Sequence, residues 1–321
     1  MSAILYCFYM NGLFTLLRER KSGCWVSGEF FGMIGYSDDN WILAPSRTAL
    51  QEMLTTCEEY ANMHNLKFST DLDPRKCKTK CIAFLKKSRD LSPVMLCGNP
   101  LPWVESGKHL GNFFLNKIDG MGHDIKVKRA KFIDRSNELL QEFHFAHPRT
   151  KFKMSEIYNS HFTGSPVWDL FSREAVMLEN SWNKNVRIYF GLPLQAHRYF
   201  LCPISGSSHI RSILMKRFLS FAKNCEVSVK RSVRHLFKVV KNDAQSITGS
   251  NIRNILNLLN KDDFSQVVPS DTLALNYHQV ENENQWRIEL LKELIEIKHG
   301  ELQVDLMPDE IDHMIFDICT T

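Results

Sequence analysis

Hydrophobic and polar residues follow two different spacings along the chain, and the change falls near residue 120. Before it, short apolar runs rich in aromatic and β-branched residues alternate with turn residues and with helical stretches. After it, apolar residues recur every three or four positions over long segments. Short apolar runs predict strands, and the longer period predicts helices. We therefore predict an α+β region followed by an all-helical region.

The spacing also predicts individual elements. Ser27-Gly28 is expected to form a turn between two strands, and Ser46 is expected to be the N-cap of a helix that buries one face. Other helices are expected at 3–18 (buried), 125–145, 152–162, 177–188 and 209–241, with a linker at 246–250 and an acidic helical segment at 251–321. Other strands are expected at 24–26, from 30 onward, at 66–69 and at 79–85.

The stretch from Phe30 to Ser46 contains two adjacent acids. It reads FFGMIGYSDDNWILAPS, so Asp38 and Asp39 lie between two apolar runs of strand length. Such a pattern predicts a β-hairpin with both carboxylates at its tip. Because adjacent like charges repel each other, the pair indicates a bound cation, whereas an exposed acidic turn is the simpler alternative.

Composition sets limits on the class of protein. The chain has 321 residues, which is enough for two domains, and its 44% hydrophobic and 24% charged residues are typical of a globular protein. Its net charge of +4 is too small for the chain as a whole to be a polycation. Nine cysteines without a disulfide spacing favour a reducing intracellular location, nuclear or cytoplasmic. The apolar run from Ala3 to Leu17 is shorter than a membrane span of about 20 residues, so we expect neither secretion nor a membrane anchor.

Several blocks of the sequence resemble the reverse transcriptases of non-LTR (LINE-like) retrotransposons, in the order found in that family. Tyr36-Ser37-Asp38-Asp39 resembles the Tyr-X-Asp-Asp motif, and residues 2–11 resemble the helix after the Gln-Gly-X-X-X-Ser-Pro motif, with Ala3 in place of Pro. Residues 50–66 resemble the next palm helix, and 78–84 resemble the lysine-containing strand that follows it. Residues 96–111 resemble the hairpin at the palm–thumb junction.

This resemblance implies a partial polymerase palm, an antiparallel sheet with helices, followed by a helical thumb and a helical extension. The corresponding segments are 1–115 for the palm, 116–200 for the thumb, 201–245 for a basic helical segment and 251–321 for an acidic one, which is either a solvated helix or a surface for a partner. The resemblance covers about residues 2–200 and is strongest before residue 115.

The resemblance also implies roles for particular residues. Asp38 and Asp39 correspond to catalytic ligands of Mg²⁺ or Mn²⁺ in RNA-directed DNA synthesis by two-metal nucleotidyl transfer. Tyr36, Ser37, Lys78 and Lys80 correspond to residues near the primer and the dNTP. Residues implied to contact the backbone of an RNA template and a DNA primer are Lys108, Lys126, Lys128, Arg129, Lys131 and Arg135.

One expected ligand is missing from this sequence. The family uses a third Asp on an earlier strand, and no Asp precedes Asp38 here. We therefore expect a fragment of a polymerase that is inactive alone, in which binding of the metal is doubtful. Two alternatives remain open, a non-catalytic nucleic-acid-binding remnant and the product of a pseudogene. A second basic cluster, within 211–238, has phenylalanines interleaved and would serve the binding alternative.

Overall fold

The fold was obtained as a computed structural model that describes residues 2–37, 39–73, 75–85, 91–116, 120–159, 162–275, 285–299 and 307–320. These residues form twelve α-helices and eight short strands, which confirms the predicted α+β class. The helices are α1 (Ser2–Glu19), α2 (Arg47–Met63), α3 (Gly120–Glu142), α4 (Pro148–Asn159), α5 (Arg173–Tyr189), α6 (Arg198–Ser205), α7 (Ile210–Glu226), α8 (Arg231–Asn242), α9 (Ile247–Leu258), α10 (Asp271–Ala274), α11 (Gln285–Lys298) and α12 (Pro308–Thr320). The strands are β1 (Trp25–Val26), β2 (Glu29–Phe30), β3 (Met33–Tyr36), β4 (Asp39–Ile42), β5 (Val94–Leu96), β6 (Asn99–Leu101), β7 (Ser106–His109) and β8 (Asn112–Leu115).

The chain divides into two compact units. The first contains residues 1–120 and 230–236, and the second contains residues 121–229 and 237–321. All eight strands belong to the first unit, and they form four antiparallel hairpins, β1–β2, β3–β4, β5–β6 and β7–β8. The change in hydrophobic spacing near residue 120 therefore coincides with a boundary in the structure.

Two-residue turns join the strands of each hairpin. Ser27-Gly28, Cys97-Gly98 and Leu110-Gly111 have positive φ at both residues, with values between 46° and 83°. This backbone matches the right-handed twist of the strands, and glycine at the second position adopts it without a steric penalty. The predicted turn at Ser27-Gly28 is confirmed. In the β3–β4 turn, Ser37 has φ of 54°, and Asp38 lies outside the described residues.

Helix α2 buries one face in the first unit, as the spacing of its apolar residues predicts. Ser46 is its N-cap, and the Ser46 hydroxyl accepts a hydrogen bond from the Ala49 N–H at 3.1 Å. Met53 packs with residues of α1 and β3, whereas Leu54 packs with residues of β5 and β6. Burial raises the pKa of the Cys57 thiol to about 12, so this side chain stays neutral within the core.

Other predictions for the first unit were wrong in part. Helix α1 is half-buried rather than buried, because Met10, Leu13 and Leu17 face the core while Phe8 is 78% exposed. The segment predicted as one hairpin at 96–111 contains parts of two, β5–β6 and β7–β8.

The predicted strands at 66–69 and 79–85 are also absent from the described part of the chain. A single bridge joins Cys81 to Trp103 there, and the N–H of Thr79 donates to the Ser69 carbonyl at 3.2 Å. Pro102 has no N–H group, although its carbonyl accepts a hydrogen bond from Cys81. Pro102 therefore cannot donate the hydrogen bond that would extend this parallel bridge toward Thr79.

The second unit is a helical bundle with one large core. Trp168, Phe200 and Phe218 are fully buried in it, and residues from 125 to 319 contribute. The Asn251 side chain joins two segments of this core, because it donates to the Trp168 carbonyl at 2.7 Å and accepts from the Leu170 N–H at 3.1 Å. The segments predicted as 116–200, 201–245 and 251–321 therefore share this core.

The linker predicted at 246–250 is wrong. Ser246 is the N-cap of α9, and its hydroxyl accepts a hydrogen bond from the Gly249 N–H at 2.9 Å. A Cβ atom at Gly249 would lie 2.2 Å from the Asp243 carbonyl oxygen. Glycine is therefore required here by close packing of the backbone, not by flexibility. Helix α6 was not predicted, and it contains Pro203, a residue that usually signals the end of a helix.

Among the residues that the structure describes, no helix is both long and apolar enough to cross a membrane.

The stability of the chain should decrease in mild acid because of His209. Burial lowers the pKa of this side chain, Glu179 opposes the effect and Arg198 adds to it. In the unfolded chain His209 takes up a proton near pH 6.5, whereas in the folded chain it resists protonation. The contribution of neutral His209 to the free energy of unfolding is therefore complete above that pH and is lost as the pH falls. Urea unfolding at pH 7.5 and 5.5 should show this decrease, and a His209→Gln variant should show a smaller one. An equal decrease in both proteins would contradict the assignment.

Candidate functional site

The β3–β4 hairpin places the acidic motif at an exposed tip. Its register pairs Tyr36 with Asp39, Gly35 with Asn40 and Met33 with Ile42. Tyr36 and Asp39 are both exposed, and they flank the turn at Ser37 and Asp38. The predicted hairpin is thus confirmed, and it brings Tyr36, Ser37 and Asp39 together. The position of the Asp38 carboxylate lies outside the described residues.

Side chains below the tip hold the hairpin on α1. Met33 is buried in the core that α1 and α2 share, and the Asn40 amide donates to the Tyr6 hydroxyl at 3.0 Å. A Cβ atom at Gly35 would lie 2.8 Å from the Asn40 side-chain oxygen and 3.3 Å from the Phe14 ring. The absence of a side chain at Gly35 therefore allows the hairpin to approach the helix closely.

Trp41 connects the acidic hairpin to the β7–β8 hairpin. Its ring centroid lies 4.8 Å from that of His109 and 4.7 Å from that of Phe114. Lys108, a predicted backbone-binding residue, precedes His109 on β7, and its ammonium group lies 5.8 Å from the Phe113 ring. The structure thus brings the hairpin that carries Asp39 next to the hairpin that carries Lys108.

Lys78 and Lys80 are exposed, but they do not lie on a regular strand. Thr79 between them is fixed by two hydrogen bonds to the Ser69 carbonyl, from its N–H at 3.2 Å and from its hydroxyl at 2.9 Å. Within the described part of the chain, neither lysine forms a hydrogen bond or ion pair with Tyr36, Ser37 or Asp39. The role of these lysines near a triphosphate stays a prediction.

The metal-binding capacity of the described residues is limited. No group of three or more His, Cys, Asp or Glu side chains among them could hold a metal ion. Asp39 is one exposed carboxylate, and Asp38, which is not described, is its neighbour in sequence. Because Mg²⁺ takes six oxygen ligands in near-ideal geometry, these two acids fit part of a magnesium site and leave most of its ligands to be supplied.

The basic residues predicted on the thumb-like helix α3 lie in different environments. The Lys128 side chain is only 12% exposed, because its ammonium group pairs with the buried Asp124 at 2.9 Å and lies 5.5 Å from the Trp168 ring. The Arg129 guanidinium donates to the Ser181 hydroxyl at 2.6 Å. These two side chains stabilise the second unit from within and are not presented as a surface for phosphates.

The other predicted cations of α3 are on the surface. Lys126 pairs with Glu174 at 3.4 Å. Lys131 and Arg135 are exposed, and neither forms an ion pair with residues in the described ranges. They lie four positions apart, so they project from the same face of the helix. Of the five cations predicted on α3, these two are best placed to contact a nucleic-acid backbone.

Sequence reasoning missed three residues that position these groups. Trp41 was included in the apolar run after the acids without a role in fixing the hairpin, and Asn40 was given no role. The buried partner of Lys128 had a visible signal, because Asp124 precedes it by four residues, a spacing that brings opposite charges together on a helix.

Comparisons of this chain with protein families, with curated proteins and with solved structures found no match. The function of the site is therefore argued from its residues and geometry, together with the sequence resemblance described above.

Replacing Trp41 with Ala should loosen both the β3–β4 and the β7–β8 hairpins, because it removes the contact of the indole ring with His109 and Phe114. We expect a loss of about 2 kcal/mol in the free energy of unfolding, less than for a fully buried aromatic residue. Hydrogen exchange should become faster at both 33–42 and 106–115. Trp25→Ala is the matched control, because Trp25 contacts Phe30 within β1–β2. Faster exchange at 33–42 alone would show that Trp41 does not couple the two hairpins.

Proposed function

We propose that this chain carries the palm hairpin and thumb-like helices of a polymerase related to the reverse transcriptases of non-LTR retrotransposons. In this proposal the ancestral activity is RNA-directed DNA synthesis on an RNA template and a DNA primer. Asp38 and Asp39 correspond to the metal-binding acids, and Tyr36 and Ser37 lie near the primer end.

The observation that carries the proposal is the combination of motif and geometry at the β3–β4 hairpin. The four-residue motif alone is weak evidence, because acidic turns are common. Its support comes from the two-residue turn, the exposed Asp39 opposite Tyr36 and the packing of Trp41 against the β7–β8 hairpin. Of the two rings that Trp41 contacts, His109 lies within 96–111, the segment that resembles the palm–thumb junction.

The chain by itself supplies only part of the chemistry. Polymerases use two divalent ions about 3.5–4 Å apart, which activate the primer hydroxyl and neutralise the triphosphate. Asp38 and Asp39 would hold such ions, but no Asp precedes Asp38 in this sequence to correspond to the third acid of the family. We therefore propose that this 321-residue chain does not complete the metal site alone.

Primer extension tests this proposal. We expect the pure chain to give no DNA synthesis on a primed RNA template with dNTPs and either Mg²⁺ or Mn²⁺, because two carboxylates leave the metal site incomplete. The matched control is the Asp38→Asn/Asp39→Asn variant, which should behave identically. Synthesis by the original chain that is lost in this variant would overturn the proposed incompleteness and would establish the two acids as catalytic.

A second candidate function is binding of nucleic acid without catalysis. The observation in its favour is the exposed pair Lys131 and Arg135 on one face of α3. Cations that contact phosphates release counterions, so the affinity falls as the salt concentration rises. The other basic side chains of this helix are engaged with Glu174, Asp124 and Ser181, which limits the surface to a few contacts.

Salt dependence tests this second candidate. In the double variant Lys131→Gln/Arg135→Gln, the slope of log affinity against log salt for a primer–template duplex should decrease by about 1 for each cation removed. The control is Arg173→Gln/Lys184→Gln, which removes two exposed cations of α5. Equal slopes in the three proteins would exclude α3 as the binding surface.

A further inference from the structure

Strand β3 has one edge whose backbone groups are not used by the hairpin. The Leu43 N–H donates to the Gly32 carbonyl at 2.8 Å, so the backbone of Gly32 is directed toward the β4 side. Backbone groups point to alternate sides along a strand, and those of Met33 and Gly35 therefore point away from β4. Among the residues that the structure describes, β4 is the only strand paired with β3, and the backbone groups of Met33 and Gly35 form no hydrogen bond.

The side chains beside this edge are apolar and exposed. Ile34 is paired with Trp41 and projects from the same face as Tyr36, two positions further along the strand. Ile34 is 48% exposed and Tyr36 is 65% exposed. The segment from Phe30 to Ser37 contains no charged residue. Charged residues, proline and bulges are the usual features that prevent an edge strand from pairing, and β3 has none of them.

The sequence of β3 is complementary to itself in an antiparallel pair. When Gly35 of one copy lies opposite Gly35 of a second copy, the two residues can exchange both of their N–H···O=C hydrogen bonds. Ile34 then lies opposite Tyr36 of the second copy, and the twofold symmetry repeats this contact. A β-branched side chain opposite an aromatic ring is a favourable cross-strand pair. One register therefore satisfies the free backbone groups of Gly35 and covers both exposed side chains.

The charge of the acidic tip favours this antiparallel arrangement over a parallel one. In a parallel pair, the two Asp39 carboxylates would lie at the same end of the sheet and would repel each other. In the antiparallel pair they lie at opposite ends, on the two outer strands. At a strand spacing of about 4.8 Å the outer strands are about 14 Å apart, which exceeds the Debye length of about 8 Å at physiological salt. The repulsion between the two tips is therefore largely screened.

We propose that β3 is a dimerisation edge, on which a second copy of this chain adds its own β3 in antiparallel orientation. The resulting sheet has four strands in the order β4–β3–β3–β4. It gives each β3 a second partner, whereas a two-stranded hairpin is only marginally stable by itself. Both copies present the same residues about a twofold axis, so the assembly closes at a dimer. The proposal uses residues of the first unit alone and does not rest on the proposed polymerase ancestry.

The mass of the chain in solution is the first test. Sedimentation velocity of the full chain at increasing concentration should show conversion of a monomer to a dimer without larger species, because the pairing uses the same edge of both copies. Ile34→Lys places a charge in both symmetric contacts, and the dissociation constant of the dimer should rise about tenfold or more. Leu72→Lys is the matched control, because Leu72 is a 75% exposed apolar residue of the same unit outside β3. This control should dimerise as the original chain does.

Cross-linking tests the register. The background is Cys7→Ser/Cys97→Ser, which removes the two exposed thiols among the described cysteines. In this background, Ile34→Cys/Tyr36→Cys should give a disulfide-linked dimer on oxidation with copper phenanthroline, because opposite residues of a non-hydrogen-bonded pair have Cα atoms about 4.5 Å apart. Ile34→Cys alone should give little cross-linked dimer, because the two copies of residue 34 are diagonal neighbours about 7–8 Å apart.

Several outcomes would overturn the proposal. One is a chain that stays monomeric at all concentrations, and another is a dimer that Ile34→Lys and Leu72→Lys weaken equally. A dimer that the double cysteine variant fails to cross-link would place the contact on another surface. A mass that grows beyond the dimer would indicate aggregation through exposed apolar surface instead. These measurements use neither nucleic acid nor dNTPs, so this proposal and the proposed polymerase function can fail independently.

Discussion

Two-stranded β-hairpins are only marginally stable in water, and each of the four hairpins in the described part of the chain is two-stranded. Their stability must therefore come from side-chain packing. Helix α2 provides this packing on two sides, because Met53 contributes to the core below β3 and Leu54 contributes to the core below β5 and β6. The buried face of α2 thus helps to hold the β3–β4 and β5–β6 hairpins in place.

The position of the acidic tip also depends on side-chain packing. Met33 fixes β3 on the core, Trp41 fixes β4 against the β7–β8 hairpin, and the missing side chain of Gly35 allows close approach to Phe14. Asp39, at the start of β4, is exposed, so its charge is solvated by water. The described part of the hairpin is therefore held in place by side-chain packing, and its acidic end is left at the surface.

Local chemistry made part of this structure predictable. Ser27-Gly28 and the cap at Ser46 depend on a few consecutive residues, and so does the two-residue turn of the acidic motif. The wrong predictions fall where contacts between residues distant in sequence determine the local structure. Pro102 cannot donate the hydrogen bond that would extend the bridge at Cys81 toward Thr79, and the Asp243 carbonyl, rather than flexibility, requires glycine at 249. The link from Trp41 to His109 joins residues 68 positions apart, and spacing along the chain carries no signal for it.

Counting basic residues also overestimates a nucleic-acid surface. A cation already paired with a buried carboxylate cannot exchange that partner for a phosphate without exposing an uncompensated charge, which is costly. Lys128 is such a residue, because Asp124 is 1% exposed and also accepts a hydrogen bond from the Trp168 indole at 2.7 Å. Among the described residues, Lys131 and Arg135 form no such pair with a buried carboxylate. In the proposed binding of nucleic acid, the contacts of α3 are therefore assigned to its exposed cations, whereas the buried cations stabilise the second unit.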